Sequence, residues 1–187
     1  LTVNPALPDR IPSAAFLGLF RPLVARPHPG GPFGGRQGVE QALQTELLWG
    51  ILPSHEQLDA DPFLNKAYRP LFSALRGRQW VLDGGSLEVS RGVSGQVFRV
   101  PVPERSGERD LVVSLVRPGA SLSDQGQRRG VTVRLRTTDS KTVTRALWQG
   151  AGVSWPAPVK AVLENNETLV VEIPPFGPAG VLRLAQH

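Results

Sequence analysis

Apolar residues recur at two different spacings along this chain, and the change from one to the other falls near Gly77. Upstream of it, Phe63, Leu64, Ala67, Tyr68, Leu71, Phe72 and Leu75 stand three and four residues apart. That spacing gathers side chains on one face of a helix. Asp61 followed by Pro62 suits an N-cap and first helical position, and Gly77 supplies a stop. Pro70 lies inside the pattern and should kink the helix, or divide it into two short ones at Arg69 and Pro70. A clearer helix is expected over 37–50, where Val39, Leu43 and Leu47 repeat every four residues and Gln41, Gln44 and Thr45 lie mostly off that line. Gly50 and Pro53 end it, and Ser54 with Gln57 has the spacing of a capping box.

From Gln79 the period shortens to two, with Trp80 and Leu82 on one side of an extended segment and Val81 on the other. About eight or nine strands are expected from there to the end of the chain. Leu87 and Val89 alternate with Glu88 and Ser90, and Phe98 and Val100 follow Gly95. Leu111, Val113 and Leu115 mark a strand whose other face carries Val112 and Val116, so this strand should be central and covered on both sides. Val131, Val133 and Leu135 alternate with Thr132, Arg134 and Arg136, giving one buried and one wet face. Residues 143–148, 159–163, 169–173 and 181–184 complete the set, and Asn165-Asn166 suits the turn of a hairpin. The fold class read from this order is α+β. A helical and loop segment over 1–78 precedes an antiparallel β-sandwich over 79–187. No internal repeat of fixed period is present.

Residues 1–36 carry Pro5, Pro8, Pro12, Pro22, Pro27, Pro29 and Pro32, which break any long element. Only 14–19 is apolar enough for a short buried strand or helical turn. The run HPGGPFGGR, residues 28–36, reads as a loop, either facing a ligand or, preferably, serving as a plain connector. It lacks the Gly-Lys-Ser/Thr ending of a phosphate loop.

Composition narrows the function classes. The 187 residues are 40% hydrophobic and 20% charged, as in a folded chain with a core. The formal charge of +5 is spread over scattered arginines with no basic run, so no nucleic-acid partner is expected. Cysteine is absent, which removes disulfides, thiolate nucleophiles and cysteine metal sites. No apolar stretch reaches the ~20 residues that cross a bilayer as a helix, so no membrane partner is expected. Methionine is absent too, and the opening LTVNPALPDR reads as part of a longer chain. These features leave the compartment open.

Candidate chemistry is sparse. Glu40 and Glu46, six apart on a helix, lie about 240° around from one another at ~100° per residue and do not share a face. Glu56 and Asp59 share one, but acidic residues favour a first helical turn for dipole reasons alone. Asp9 beside Arg10 reads as an ordinary surface ion pair. His28, His55 and His187 have no metal-ligand spacing, and Ser94 in GVSGQ lacks the Gly-x-Ser-x-Gly elbow. No catalytic residue, metal or cofactor is therefore assigned. Asn166-Glu167-Thr168 matches a glycosylation acceptor, which a hairpin turn explains equally well. The aromatics carry more: an indole offers a flat face on which a sugar ring stacks. Trp49 and Trp80 should fill the seam between the helical and β parts, whereas Trp148 and Trp155, flanking QGAGVS, are the better candidates for exposure, with core packing still the commoner role for both. Arg36, Trp49, Trp148 and Trp155 are the candidate substrate-binding residues.

The segments QALQTELLWGILPS and AYRPLFSALRGRQWVL, followed by strands ending in ETLVVEIPPFGPAGVLRL, resemble the C-terminal region of large glycoside hydrolases. The resemblance implies that the last helices of a (β/α)8 barrel run into an antiparallel sandwich. It implies too that 8–35 holds a late barrel strand and its loop, and that the catalytic carboxylates sit on earlier strands of the same polypeptide. Two readings follow: a C-terminal part of a carbohydrate-active hydrolase, and a free-standing sandwich that binds glycan or protein. The apolar face of 37–75 discriminates them, since a bare face means a missing barrel and a covered one a complete module. The second reading also needs an exposed aromatic platform, which Trp148 and Trp155 would have to supply.

Overall fold

The computed structural model describes residues 2–3, 24–25, 35–53, 58–59, 61–81, 87–103, 107–124, 129–136, 143–165 and 167–186. The expected element at 14–19, the Ser54–Gln57 capping box and Leu82 lie outside them. Strands β1 (Thr2–Val3) and β2 (Val24–Ala25) pair in parallel, Thr2 with Val24 and Val3 with Ala25. Helix α1 covers Gly35–Leu48 and helix α2 Pro62–Ala74. Ten strands follow: β3 (Gln79–Trp80), β4 (Leu87–Val89), β5 (Ser94–Pro101), β6 (Arg109–Val116), β7 (Val131–Arg136), β8 (Val143–Gly150), β9 (Ala157–Pro158), β10 (Ala161–Glu164), β11 (Thr168–Ile173) and β12 (Ala179–Gln186).

The helices begin and end where local chemistry requires. Asp61 caps α2, its carboxylate accepting from the Phe63 and Leu64 N–H groups, with Pro62 next in line. Gly50, at φ +61°, turns the chain after α1, and Gly77, at φ +71°, after α2. Pro70 does not divide α2, which runs unbroken from Pro62 to Ala74. A proline inside a helix costs about 3 kcal/mol. Tyr68, Leu71, Phe72 and Leu75 around it are all buried, and each such side chain returns about 1.5–3 kcal/mol, so packing outweighs the missing hydrogen bond.

All strands from β3 onward form two antiparallel sheets, one of four strands in the order β10-β11-β7-β4 and one of six in the order β3-β5-β6-β12-β8-β9. The α+β expectation is therefore met. β7 alternates buried and exposed side chains throughout, as its sequence implies. Asn165, with φ +51°, turns the chain between β10 and β11, whose Glu164 and Thr168 pair.

Two hydrophobic clusters share the six-stranded sheet. On one face Val97, Leu111, Val113, Leu115, Leu182 and Leu184 meet Val131, Val133, Leu135, Leu169, Val171 and Ile173 of the other sheet. On the opposite face Phe98, Val100, Val112, Val116 and Val181 meet Leu43, Leu47, Tyr68, Leu71, Phe72 and Leu75 of the helical part. The molecule is thus layered as helices, six-stranded sheet and four-stranded sheet. This explains why Leu111 to Val116 is buried without interruption: odd residues face the sandwich interior and even ones the helices. It also covers the apolar face of α1 and α2 from within the chain.

Candidate functional site

The most exposed aromatic among the described residues stands on the turn joining β8 to β9. β8 ends at Gly150, and Gly152, at φ +79°, bends the chain back so that Ala157 and Pro158 pair with Trp148 and Leu147. Side chains rarely adopt that φ, which is why glycine occupies the bend. The turn is anchored from several directions. Ala151 N–H donates to the Ala179 carbonyl at 2.8 Å, Gly152 N–H to the Ala67 carbonyl of α2 at 3.3 Å, and Val153 N–H to the Gly150 carbonyl at 3.1 Å. The Gln149 amide donates to the carbonyls of Val153 at 3.0 Å and Ser154 at 3.4 Å. Trp155 projects from this held backbone with 81% of its surface exposed, the most of any large apolar side chain among the described residues.

Beyond the turn, the chain crosses from the edge of one sheet to the edge of the other through Val159 and Lys160. Val159 N–H donates to Ala146 on the six-stranded side, and Lys160 accepts from Glu172 N–H on the four-stranded side. A groove lies to each side of the crossing, and both include Pro158 and Val159. One, of about 320 Å³, is lined by residues of β8, β10 and β11 including Arg145, Ala146 and Leu163. The other, of about 520 Å³, is lined by Gly130, Thr132, Glu172 and Pro174 together with Val131 and Ile173. Thr132 and Glu172 are directly paired across β7 and β11 and are both exposed. Their hydroxyl and carboxylate therefore stand on one face.

The other three candidates lie elsewhere. Arg36 sits in the first turn of α1, where its Nε donates to the Asp61 carboxylate at 2.6 Å and its guanidinium lies 5.3 Å from the centre of the Phe63 ring. That hydrogen bond, more than the two helical N–H groups Asp61 also accepts, holds its carboxyl below the usual carboxylate range. Arg36 thus ties the start of one helix to the start of the next. Trp49 stacks on Trp80 with ring centres 5.8 Å apart, and Trp80 packs edge-on against Phe98 at 5.3 Å. Both tryptophans therefore fill the helix–sheet seam as expected. Arg78 lies at the same seam, beside Gly50 and Phe98, and burial lowers it to about 10.

Trp148, a candidate for exposure for which core packing is the commoner role, is packed in the core. It is 5% exposed and packs edge-on against Phe176 at 4.8 Å, while the Arg117 guanidinium covers that ring at 4.5 Å. Its indole lies across Gly180 so closely that a Cβ there would stand 2.3 Å from two ring carbons. The pairing register shifts between Ala185 and Gln186, opposite the start of β8. Val143 and Ala146 consequently both pack toward the sandwich interior, and Trp148 follows Ala146 inward. Simple alternation from Val143 conceals this. Trp155 alone of the four is an exposed aromatic, and the structure does not bring the four together.

A buried polar cluster went unrecognised in the sequence. The Glu40 carboxylate accepts from Tyr68 Oη at 3.0 Å, Ser121 Oγ at 2.5 Å and Leu122 N–H at 2.8 Å. Gln44, one turn later, donates to the Ala120 carbonyl at 2.8 Å. Glu40, Leu43, Gln44 and Leu47 fall at the spacing of a buried stripe, and two polar residues on such a stripe require partners. The cluster holds the connection between β6 and β7 against α1. Burial first, then the Glu40 charge, pushes the Tyr68 phenol far above its ordinary value.

Two further arginines are paired, Arg134 with Glu164 at 2.8 Å and Arg183 with the buried Asp110 at 2.5 Å. Among the described residues no group of His, Cys, Asp and Glu is arranged to hold a metal, and no helix is long and apolar enough to cross a membrane.

No protein-family model matches this chain, and no curated protein sequence matches it. Its fold is similar to part of a solved enzyme, a Paenibacillus sp. cycloisomaltooligosaccharide glucanotransferase complexed with cycloisomaltoheptaose. The likeness has a TM-score of 0.51 at 9% identity and covers 78% of this chain and 27% of that one. The chain therefore corresponds to about a quarter of that enzyme's length, and the likeness is one of fold.

Proposed function

We infer that this chain is the C-terminal part of a carbohydrate-active glycoside hydrolase, with the sandwich in a structural or accessory role. The observation that carries the reading is the fold shared with 27% of a glucanotransferase that was solved with a cyclic oligosaccharide. The parallel pairing of β1 with β2 supports it, because parallel neighbours need a crossover connection of the kind each βα unit of a barrel supplies. On this reading 1–78 is the end of a barrel and 79–187 the sandwich packed beside it. The partners are a carbohydrate and an upstream catalytic barrel of the same polypeptide, with neither nucleic acid nor membrane among them. Bond cleavage belongs to carboxylates upstream of this chain.

The test compares the full reading frame with residues 1–187 in a glucan hydrolysis and transfer assay. The full product should be active, lose activity when a pair of barrel-strand carboxylates is neutralised, and leave 1–187 inert. Cleavage by 1–187 alone, or a reading frame that adds no barrel, would overturn the reading.

A second reading, a free-standing module that binds glycan or protein, draws on the apolar face of α1 and α2. That face is covered by the six-stranded sheet, the outcome that separates a complete module from a chain missing its barrel and so favours this second reading. The aromatic platform this reading needs is half supplied, by Trp155 and not by Trp148.

A further inference from the structure

We propose that the β8–β9 turn and the groove beside Pro158 form a binding site for a neutral hexopyranose chain, with Trp155 as its stacking platform. The proposal rests on the carbohydrate-active reading above and adds to it the surface and the chemical class of ligand.

The position of Trp155 is the first argument. An indole that is 81% exposed buries little apolar area, so it contributes little to folding. The backbone beneath it is nevertheless held by main-chain bonds on both sides and by the Gln149 amide. A rigid ring on an ordered turn loses little freedom when a ligand arrives, which is the condition for preorganised binding.

The groove is the second. Trp155 and Pro158 are three residues apart, so even a fully extended chain places their Cα atoms within about 11 Å. Pro158 leads into the larger groove, where Pro174 and Val159 are apolar and the Thr132 hydroxyl and Glu172 carboxylate are polar. Directly opposed residues on adjacent strands have Cβ atoms about 5 Å apart, so these two groups can engage neighbouring hydroxyls of one ring. A pyranose presents an apolar C–H face and a rim of hydroxyls, the pattern that an indole and a hydroxyl–carboxylate pair complement.

Charge is the third. Among the described residues the lining holds a carboxylate and no lysine or arginine side chain. An anionic ligand would be repelled there, and a neutral one would not.

The experiment uses residues 1–187 with two linear glucans, isomaltoheptaose and maltoheptaose, followed by calorimetry and by acrylamide quenching of tryptophan fluorescence. At least one glucan should bind and shield the quenchable indole. Trp155→Ala should weaken binding roughly fivefold to a hundredfold, by analogy with the loss of an aromatic that stacks a nucleobase. Its circular dichroism and melting temperature should match wild type. Thr132→Ala and Glu172→Gln should each weaken binding a few-fold. Glucan binding that Trp155→Ala leaves unchanged overturns the site and spares the carbohydrate reading. An active full-length enzyme whose 1–187 part binds neither glucan also overturns the site alone. Glucan binding lost in Trp155→Ala, in a reading frame without a barrel, upholds the site and removes the hydrolase reading. Tight binding of a proline-rich peptide in place of either glucan overturns the ligand class.

Discussion

Glu40 is an acidic side chain at the centre of a packed seam, 2% exposed, with its charge distributed over three donors. Its removal strands the buried Tyr68 hydroxyl, which costs about 1–3 kcal/mol, whereas Ser121 Oγ and Leu122 N–H are half-buried and Ser121 keeps a contact with Ser123. Glu40→Ala should therefore destabilise the chain by roughly 1–3 kcal/mol in urea unfolding. Tyr68→Phe, which removes one of the three bonds and keeps the ring, should cost roughly 1 kcal/mol. The Tyr68 phenol also makes stability depend on pH. In the folded chain its proton is held well above the ordinary value, first by burial and then by the Glu40 charge. The unfolded chain releases that proton near pH 10. Stability from this group is thus fully present below about pH 10 and falls as the pH rises beyond it, by up to about 1.4 kcal/mol per pH unit. Tyr68 is the only tyrosine, so the difference between wild type and Tyr68→Phe in urea midpoints across the alkaline range isolates it. Asp61 behaves in the opposite sense. Its carboxyl is held low by Arg36, so its contribution is present above the ordinary aspartate value and is lost as the pH falls through the lowered one. Asp61 was legible as a helix cap, but the contact of Glu40 with Tyr68 was not. Glu40 meets Ser121 from 81 positions away, and helical spacing reports which face a residue occupies, not what lies opposite.

Among the elements, β8 and β12 show where alternation stops being informative. The Trp148 indole lies over Gly180, and a methyl there would overlap two ring carbons at 2.3 Å and the Gln149 carbonyl at 2.8 Å. Overpacking a fitted core costs roughly 1–3 kcal/mol. Gly180→Ala should sit at or above the top of that range, seen as a lower urea midpoint with an unchanged slope. Pro70 gives the converse case. Since α2 already runs through it, Pro70→Ala restores a backbone donor and relieves the clash with the preceding turn. The unfolded chain gains freedom in the variant, which offsets part of the benefit. A net rise in melting temperature is expected, and a fall would show that the ring's own packing outweighs both terms. The continuous burial of β6 was legible because Leu111 to Val116 is apolar at nearly every position, and only a strand covered on both faces uses such a run. Burial of Trp148 was legible only as the habit of large aromatics and not from the strand pattern, because the register shift at the start of β8 reverses the parity that alternation relies on.

At the scale of the whole molecule, the change of apolar spacing at Gly77 separates two kinds of secondary structure that share a core. Helix and sheet were each readable from their own periods; that the helices pack on the outer face of the six-stranded sheet was not, since both patterns leave their partner unspecified. The arrangement makes a definite prediction about cooperativity. Phe98, Val100, Val112, Val116 and Val181 are buried only because the helical layer covers them. Each is worth about 1.5–3 kcal/mol when buried, so together they rival the 5–15 kcal/mol by which a domain is stable. In the intact chain, far-ultraviolet circular dichroism and tryptophan fluorescence should therefore report one coincident urea transition. Residues 79–187 produced alone should bind a hydrophobic dye strongly or aggregate, because that apolar face would stand open to water. Separate transitions in the intact chain, or a soluble 79–187 that unfolds sharply and binds no dye, would show that the four-stranded sheet and its partner carry enough core by themselves. The helical layer would then be a docked neighbour of the sandwich, which is how the end of a barrel would sit against it.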